Sequence, residues 1–179
     1  YRFWFPPLRS GAGYLSVRPL EAYVLNLEIS PLIGIGPVKL GSLRSEARES
    51  LLSAGFPLES SRRSLDYFCN ASIQVECGPD DRVRFIGISA SERFIATFQS
   101  IDVFSRPAEE LFSLIANADN SGPHQFITSE YLFPNQIVTL WDADEQYDRQ
   151  GNESRPVWAQ VGIGNESYAA AVAAIRSRV

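Results

Sequence analysis

Between Leu43 and Ala54 the apolar positions Leu43, Ala47 and Leu51 recur every four residues, and Leu52 widens the stripe. Arg44, Glu46, Arg48 and Glu49 fall on the opposite side, so the stretch predicts one amphipathic helix. Ser42 is placed to cap it, and Gly55 followed by Pro57 stops it. Period two then takes over. Leu65–Cys69 reads as a strand, Asn70–Ser72 as a tight turn, and Ser72–Cys77 as a second strand. In that second strand Ile73, Val75 and Cys77 share one face and Gln74 and Glu76 the other. The turn Gly78–Asp81 leads into a strand at Arg82–Ser89, and Phe94–Val103 reads as one more.

The order then begins again. Ser105 and Pro107 open a helix whose apolar stripe is Ala108, Leu111, Phe112 and Ile115. Phe126–Phe133 looks extended, and Ile137–Trp141 and Val157–Ile163 are strands joined by a long polar loop. A last helix places Tyr168, Val172, Ile175 and Val179 on one side, with Asn165 as its cap and Arg176 and Arg178 at its negative end. The halves 31–103 and 104–179 therefore match in element order, although few residues are shared. Residues 1–30 form an arm rich in aromatics and proline, with one strand around Tyr23, Leu25 and Leu27 and a loosely held start. Short strand connections without a β-α-β rhythm predict an α+β domain, 31–179. It is expected to be an antiparallel sheet with helices on one face, the other face left open, made of two similar helix-plus-hairpin units.

A charge of −5 from 16 basic and 21 acidic residues argues against a general nucleic-acid binder and suits a basic partner. No apolar run approaches the ~18–20 residues of a membrane span, and the cytoplasm is the expected compartment. Cys69 and Cys77 are too few for a disulfide framework, and the turn between them points them apart, so both are expected as reduced, buried thiols. The chain opens at Tyr1 and has no methionine, which reads as an original start removed by processing or trimming. Three N-x-S triplets, at Asn70, Asn152 and Asn165, read as chance.

The stretch Gly34-Ile35-Gly36-Pro37-Val38-Lys39-Leu40-Gly41, followed by the helix Leu43–Ala54, Gly55 and Pro57, resembles the unit of the β-lactamase-inhibitor-protein-like fold. That fold also occurs in small outer-membrane-assembly lipoproteins. Asp66-Tyr67-Phe68, the hairpin after it and Asp102-Val103-Phe104 resemble small bacterial immunity-type proteins encoded beside toxins. The likeness spans roughly 31–164 and departs at the helix start, where Leu43 stands in place of a serine cap. It implies a non-catalytic module that binds a protein, such as a basic toxin domain, and neutralises it by occlusion.

The most conspicuous polar stretch is Trp141–Glu153. Asp142, Asp144, Gln146, Asp148 and Glu153 have the spacing of a calcium loop, but Tyr147 stands where that loop needs glycine. The stretch reads instead as a hairpin loop or as an acidic, aromatic-tipped recognition surface. On the second reading the partner-binding residues are Trp141, Asp142, Asp144, Glu145, Tyr147, Asp148 and Trp158, with Gln74 and Glu76 secondary. No cofactor, metal or catalytic residue is expected. His124 is the only histidine, without an acid or cysteine set beside it by the sequence. Asp80/Asp81 and Glu109/Glu110 read as solvated charges. Gly34-Ile35-Gly36 lacks the third glycine of a dinucleotide fingerprint, Lys39 standing in its place. Two other classes remain: a small enzyme or ligand-binding protein with a pocket between sheet and helices, and an envelope assembly factor. Oligomeric state is left open.

Overall fold

The computed structural model describes residues 24–147 and 154–177. Three short strands come first: β1 (Leu25–Ser30), β2 (Gly34–Ile35) and β3 (Val38–Lys39). The helix α1 (Arg44–Ser53) precedes β4 (Leu58–Arg62), β5 (Leu65–Phe68), β6 (Ile73–Cys77), β7 (Val83–Ile88), β8 (Phe94–Phe98) and β9 (Ile101–Asp102). Then come α2 (Ala108–Asp119), β10 (Glu130–Phe133), β11 (Val138–Tyr147), β12 (Ser154–Gly164) and α3 (Glu166–Arg176). The architecture is α+β, as the connection pattern predicts. No helix among the described residues is long and apolar enough to cross a membrane.

Two sheets form. The larger runs β10-β11-β12-β7-β6-β5-β4 with every neighbour antiparallel. The smaller runs β3-β2-β1-β8-β9, and in it β1 and β8 are parallel. This corrects the wholly antiparallel expectation: all of α1 and β4–β7 lies between β1 and β8, and that is the long crossover a parallel pair needs. The expected strand Phe94–Val103 is also two strands, because Gln99 and Ser100 are both left-handed (φ 49° and 66°) and turn the chain into a hairpin.

The expected duplication is not confirmed. Four strands follow α1 in the large sheet, three follow α2, and α3 has no counterpart. The stretches 83–89 and 157–164, the last hairpin strands of the two expected units, are hydrogen-bonded neighbours, with Ile86 opposite Ile163 and Ile88 opposite Val161.

Register sorts the side chains of the large sheet. Phe68, Ile73, Ile88, Val161, Leu140 and Tyr131 are successive cross-strand partners on one face. This face meets α1 and α2 and supplies much of the buried core. On α2, Phe112 packs edge-on to Tyr131 and tilted against Phe133. On α1, Ala47 and Leu51 are buried, and a leucine taken fully out of water contributes roughly 1.5–3 kcal/mol.

Polar chemistry fastens α1 as well. Asp66 alternates onto the core face of β5 and is 1% exposed. Arg44 and Arg48 each donate through two nitrogens to its carboxylate, at 2.7–2.9 Å. Burial alone would raise the Asp66 pKa, but hydrogen bonds from Arg44, Arg48 and Ser61 hold it well below the usual carboxylate range. The Arg44 guanidinium is correspondingly raised, chiefly by its hydrogen bond to Asp66.

Both serine caps expected at the helix starts are corrected. The Ser42 and Ser105 hydroxyls donate back to the carbonyls of Lys39 and Asp102. Leu43 and Pro107 occupy the cap positions, and the Glu46 carboxylate accepts the Leu43 N–H at 2.8 Å. Asn165 does cap α3, its side chain accepting from the Tyr168 N–H at 3.1 Å. Cys69 and Cys77 are free and buried, and burial pushes the Cys77 thiol up to about 11.

Candidate functional site

The second face of the large sheet is neither bare nor fully covered. Its cross-strand row is Tyr67, Gln74, Gly87, Gly162, Thr139 and Leu132. The helix α3 lies on this side, which corrects the expectation that all helices share one face. Tyr168 stacks on Phe85 with ring centroids 4.5 Å apart, and Arg176 reaches Glu130 at 3.7 Å. The floor beneath is glycine because nothing larger fits. A Cβ on Gly162 would stand 2.4 Å from the Phe85 ring, and one on Gly164 2.4 Å from the Tyr168 ring.

Beside α3 a strip of this face stays open to water. Tyr67 and Gln74 are register partners, as are Gln160 and Trp141. The Gln160 carboxamide lies over Gly87, the partner of Gln74, and so joins the two pairs into one line. At the usual strand spacing the line covers roughly 19 Å, four steps of the sheet. None of these four side chains has a hydrogen-bond partner among the described residues. Trp141 is 53% exposed. Charges bordering the strip are paired: Arg84 Nε donates to Glu76 at 2.9 Å, and Arg176 faces Glu130. The strip itself is neutral, and its free amide, hydroxyl and indole groups can hydrogen-bond a ligand while two aromatic rings supply contact area.

The structure divides the residues expected to bind a partner. Trp141 and Gln74 meet on this strip. Glu76 is on the same face but is held by Arg84 and is not free. Trp158 is corrected outright. It is 1% exposed, its indole N–H donates to the Ala108 carbonyl at 2.9 Å, and its ring meets Phe126 edge-on. It belongs to the α2 side of the core. Left-handed Asp142 (φ 54°) marks the change: its N–H and that of Ala143 both reach back to Ser129 and Thr128, and Ala143, the partner of Trp158, packs against the core.

The expected long loop 142–153 is also revised. Asp142–Tyr147 continues β11 and is paired with β12 down to Tyr147 opposite Ser154, so Asp142, Asp144, Glu145 and Tyr147 ride on a two-stranded ribbon. Asp148 lies outside the described residues. A paired ladder through the first six positions does not wrap an ion as a calcium loop does. Tyr67, Gln160 and Tyr168 were missed from the sequence; the alternation of β5, which sets Tyr67 opposite Gln74, was the signal for the first.

Tyr168 offers a spectroscopic handle. Burial, then Glu130 and Glu76, push its phenol up to about 12, while Arg176 and Arg84 pull the other way. Docking thus favours the neutral phenol, and its contribution is lost as pH climbs from the ordinary tyrosine value, about 10, through the raised one. Tyrosinate absorbance should contain a component near pH 12 that Tyr168→Phe removes. If the component lost by that substitution titrates near 10, the stack does not shield the ring.

The fold brings to His124 an acid that the sequence does not set beside it. Its Nε2 is 3.1 Å from Ser121 Oγ, Ser121 donates to the buried Asp119 carboxylate, and Nδ1 is 2.8 Å from the Tyr131 hydroxyl. Asp119 also accepts the Gln136 N–H at 2.6 Å, while Asn135 and Gln136 donate to the Asp119 and Ala118 carbonyls. Serine and aspartate share one ring nitrogen and tyrosine takes the other. This is not a base oriented from behind by a carboxylate but a clasp tying the end of α2 to the β10–β11 turn. A depression of about 270 Å³ borders it, lined by Phe112, Asn117, Gly122 and His124 among others, and lies below the usual ~300–1,000 Å³ of ligand sites. It is at the rim of α2, not between sheet and helices.

No protein-family model matches the chain, and searches of curated proteins and of solved structures likewise return no match.

Proposed function

We propose that this chain is a non-catalytic protein-binding module, an immunity-type inhibitor that neutralises a basic bacterial toxin domain by covering it. The observation that carries the reading is the strip Tyr67–Gln74–Gln160–Trp141, where unengaged polar groups and an exposed indole sit on a rigid sheet with the neighbouring charges paired off. Rigid aromatic anchors of this kind dominate protein interfaces. The ribbon bearing Asp142, Asp144 and Glu145 adds negative charge that steers a basic partner during approach. The resemblance to immunity-type proteins points the same way.

Affinity capture from the producing cells, run with the wild-type chain and with Trp141→Ala, tests it. A basic protein held by the wild type should be bound at least ~30-fold more weakly by the variant, as for a hot-spot residue worth 2 kcal/mol or more. Equal retention by both chains overturns the reading. Against the captured partner, reversing Asp144 and Asp148 to lysine should slow association, most at low salt, and leave the melting temperature unchanged. Unaltered association rates would remove the ribbon from the interface.

A further inference from the structure

We infer that α3 is a reversible cover of the sheet face, a helix that leaves its seat while the rest of the fold stays closed. Its burial sets it apart. None of its described residues is fully buried, Tyr168, Ala169, Ala171 and Val172 being half-buried and Ile175 66% exposed, whereas α1 buries Ala47 and Leu51 and α2 buries five residues. Among the described residues its specific fastenings to the sheet are the Tyr168–Phe85 stack and an ion pair between the half-exposed Arg176 and Glu130. The seat offers little to interlock with, being backbone at Gly162 and Gly164.

Departure breaks almost nothing beneath. The β7–β12 ladder is complete without α3. Asn165, extended at φ −106° and ψ −179°, keeps its N–H on the Arg84 carbonyl at 3.0 Å and supplies the pivot. Away from the sheet an eleven-residue helix is too short to persist in water, so opening is also melting. Once α3 has left, Phe85 and Gly162 join the strip, and the face available to a partner widens from Trp141 towards Glu76. This use of the opening rests on the proposed docking face; the opening itself is a property of the free chain.

Native-state hydrogen exchange on the full chain tests it without a partner. The α3 amides should exchange as one unit, at least ~100-fold faster than those of β6 and β7, with little response to low denaturant. Tyr168→Ala raises the docked state relative to both the open and the unfolded ones, so it should speed α3 exchange about tenfold, the effect of losing a stack of ordinary strength, while α3 still opens ahead of β6 and β7. Exchange of α3 at the rate of β7 in one global event, or α3 exchange unmoved by Tyr168→Ala, overturns the proposal. Either result leaves the Trp141 capture experiment to decide the docking face separately.

Discussion

Asp66→Ala is expected to cost about 3–5 kcal/mol, because it removes the buried carboxylate that two guanidinium groups share. Arg44 is only 14% exposed and Arg48 37%, and each gives two nitrogens to this carboxylate, while Arg44 Nη1 donates to the Arg63 carbonyl and both Nη2 groups also reach Ser61. Without it they face each other with like charge at the α1–β5 junction. A domain of this size has only about 5–15 kcal/mol in hand, so the urea midpoint should fall steeply or the chain should fail to fold. The same pair sets an acid limb. Because the folded pKa of Asp66 lies below its ordinary value, its contribution is complete above about pH 4 and is lost as pH falls further. Asp66→Asn keeps the shape and should flatten that limb. Urea midpoints for wild type and both variants between pH 3 and 7 give the result, and an unchanged slope in Asp66→Asn would show that the pair does not drive acid unfolding.

Trp158→Ala should cost as much, about 3–5 kcal/mol, as expected for removing a fully buried indole from a core. Trp158→Phe should recover most of that by refilling the space between Ala108 and Phe126. The contrast with Trp141 is the useful part. Trp141→Ala should move stability by no more than about 0.5 kcal/mol, as exposed positions do. Two tryptophans on neighbouring strands thus separate stability from recognition. Thermal melts of the two alanine variants side by side would reverse these assignments if Trp141 proved the costly one.

What could be read from the sequence follows the strength of the apolar period. Helices α1 and α2 and strand β6 show a clear period because each has a core side and a wetter side, whereas β7 is buried on both faces and is marked by its apolar run. Strand β4, Leu-Glu-Ser-Ser-Arg, is an edge exposed at every position, so no period marks it. The outer part of the β11–β12 ribbon failed for the same reason: past Trp141 the residues are Asp, Ala, Asp, Glu and Gln, and a ribbon beyond the sheet need not alternate. Stripe arithmetic gave α3 a packing side through Tyr168, Val172 and Ile175, of which Tyr168 and Val172 are half-buried and Ile175 is exposed, and nothing local says which face of a sheet will receive the helix. Backbone twists were hidden as well. Cys69, Asn70 and Ala71 are all left-handed without a glycine, held by the Glu59 carboxylate, which accepts the Asn70 and Ala71 N–H groups at 2.7 and 3.2 Å. Of the candidate site, Trp141 and Gln74 were legible; Tyr67 and Gln160 depended on register, which is a tertiary fact.

The parallel pairing of β1 with β8 has a consequence for biogenesis. The side-chain bond between them, Thr97 to Asn26, joins residues 71 positions apart. On a ribosome delivering ~5–20 residues per second, the early strand has its β8 edge unsatisfied for several seconds before that neighbour emerges. Nascent chains of this protein should therefore depend on chaperones longer than a helical domain of equal length, and slowing translation just before residue 94 should aggravate aggregation.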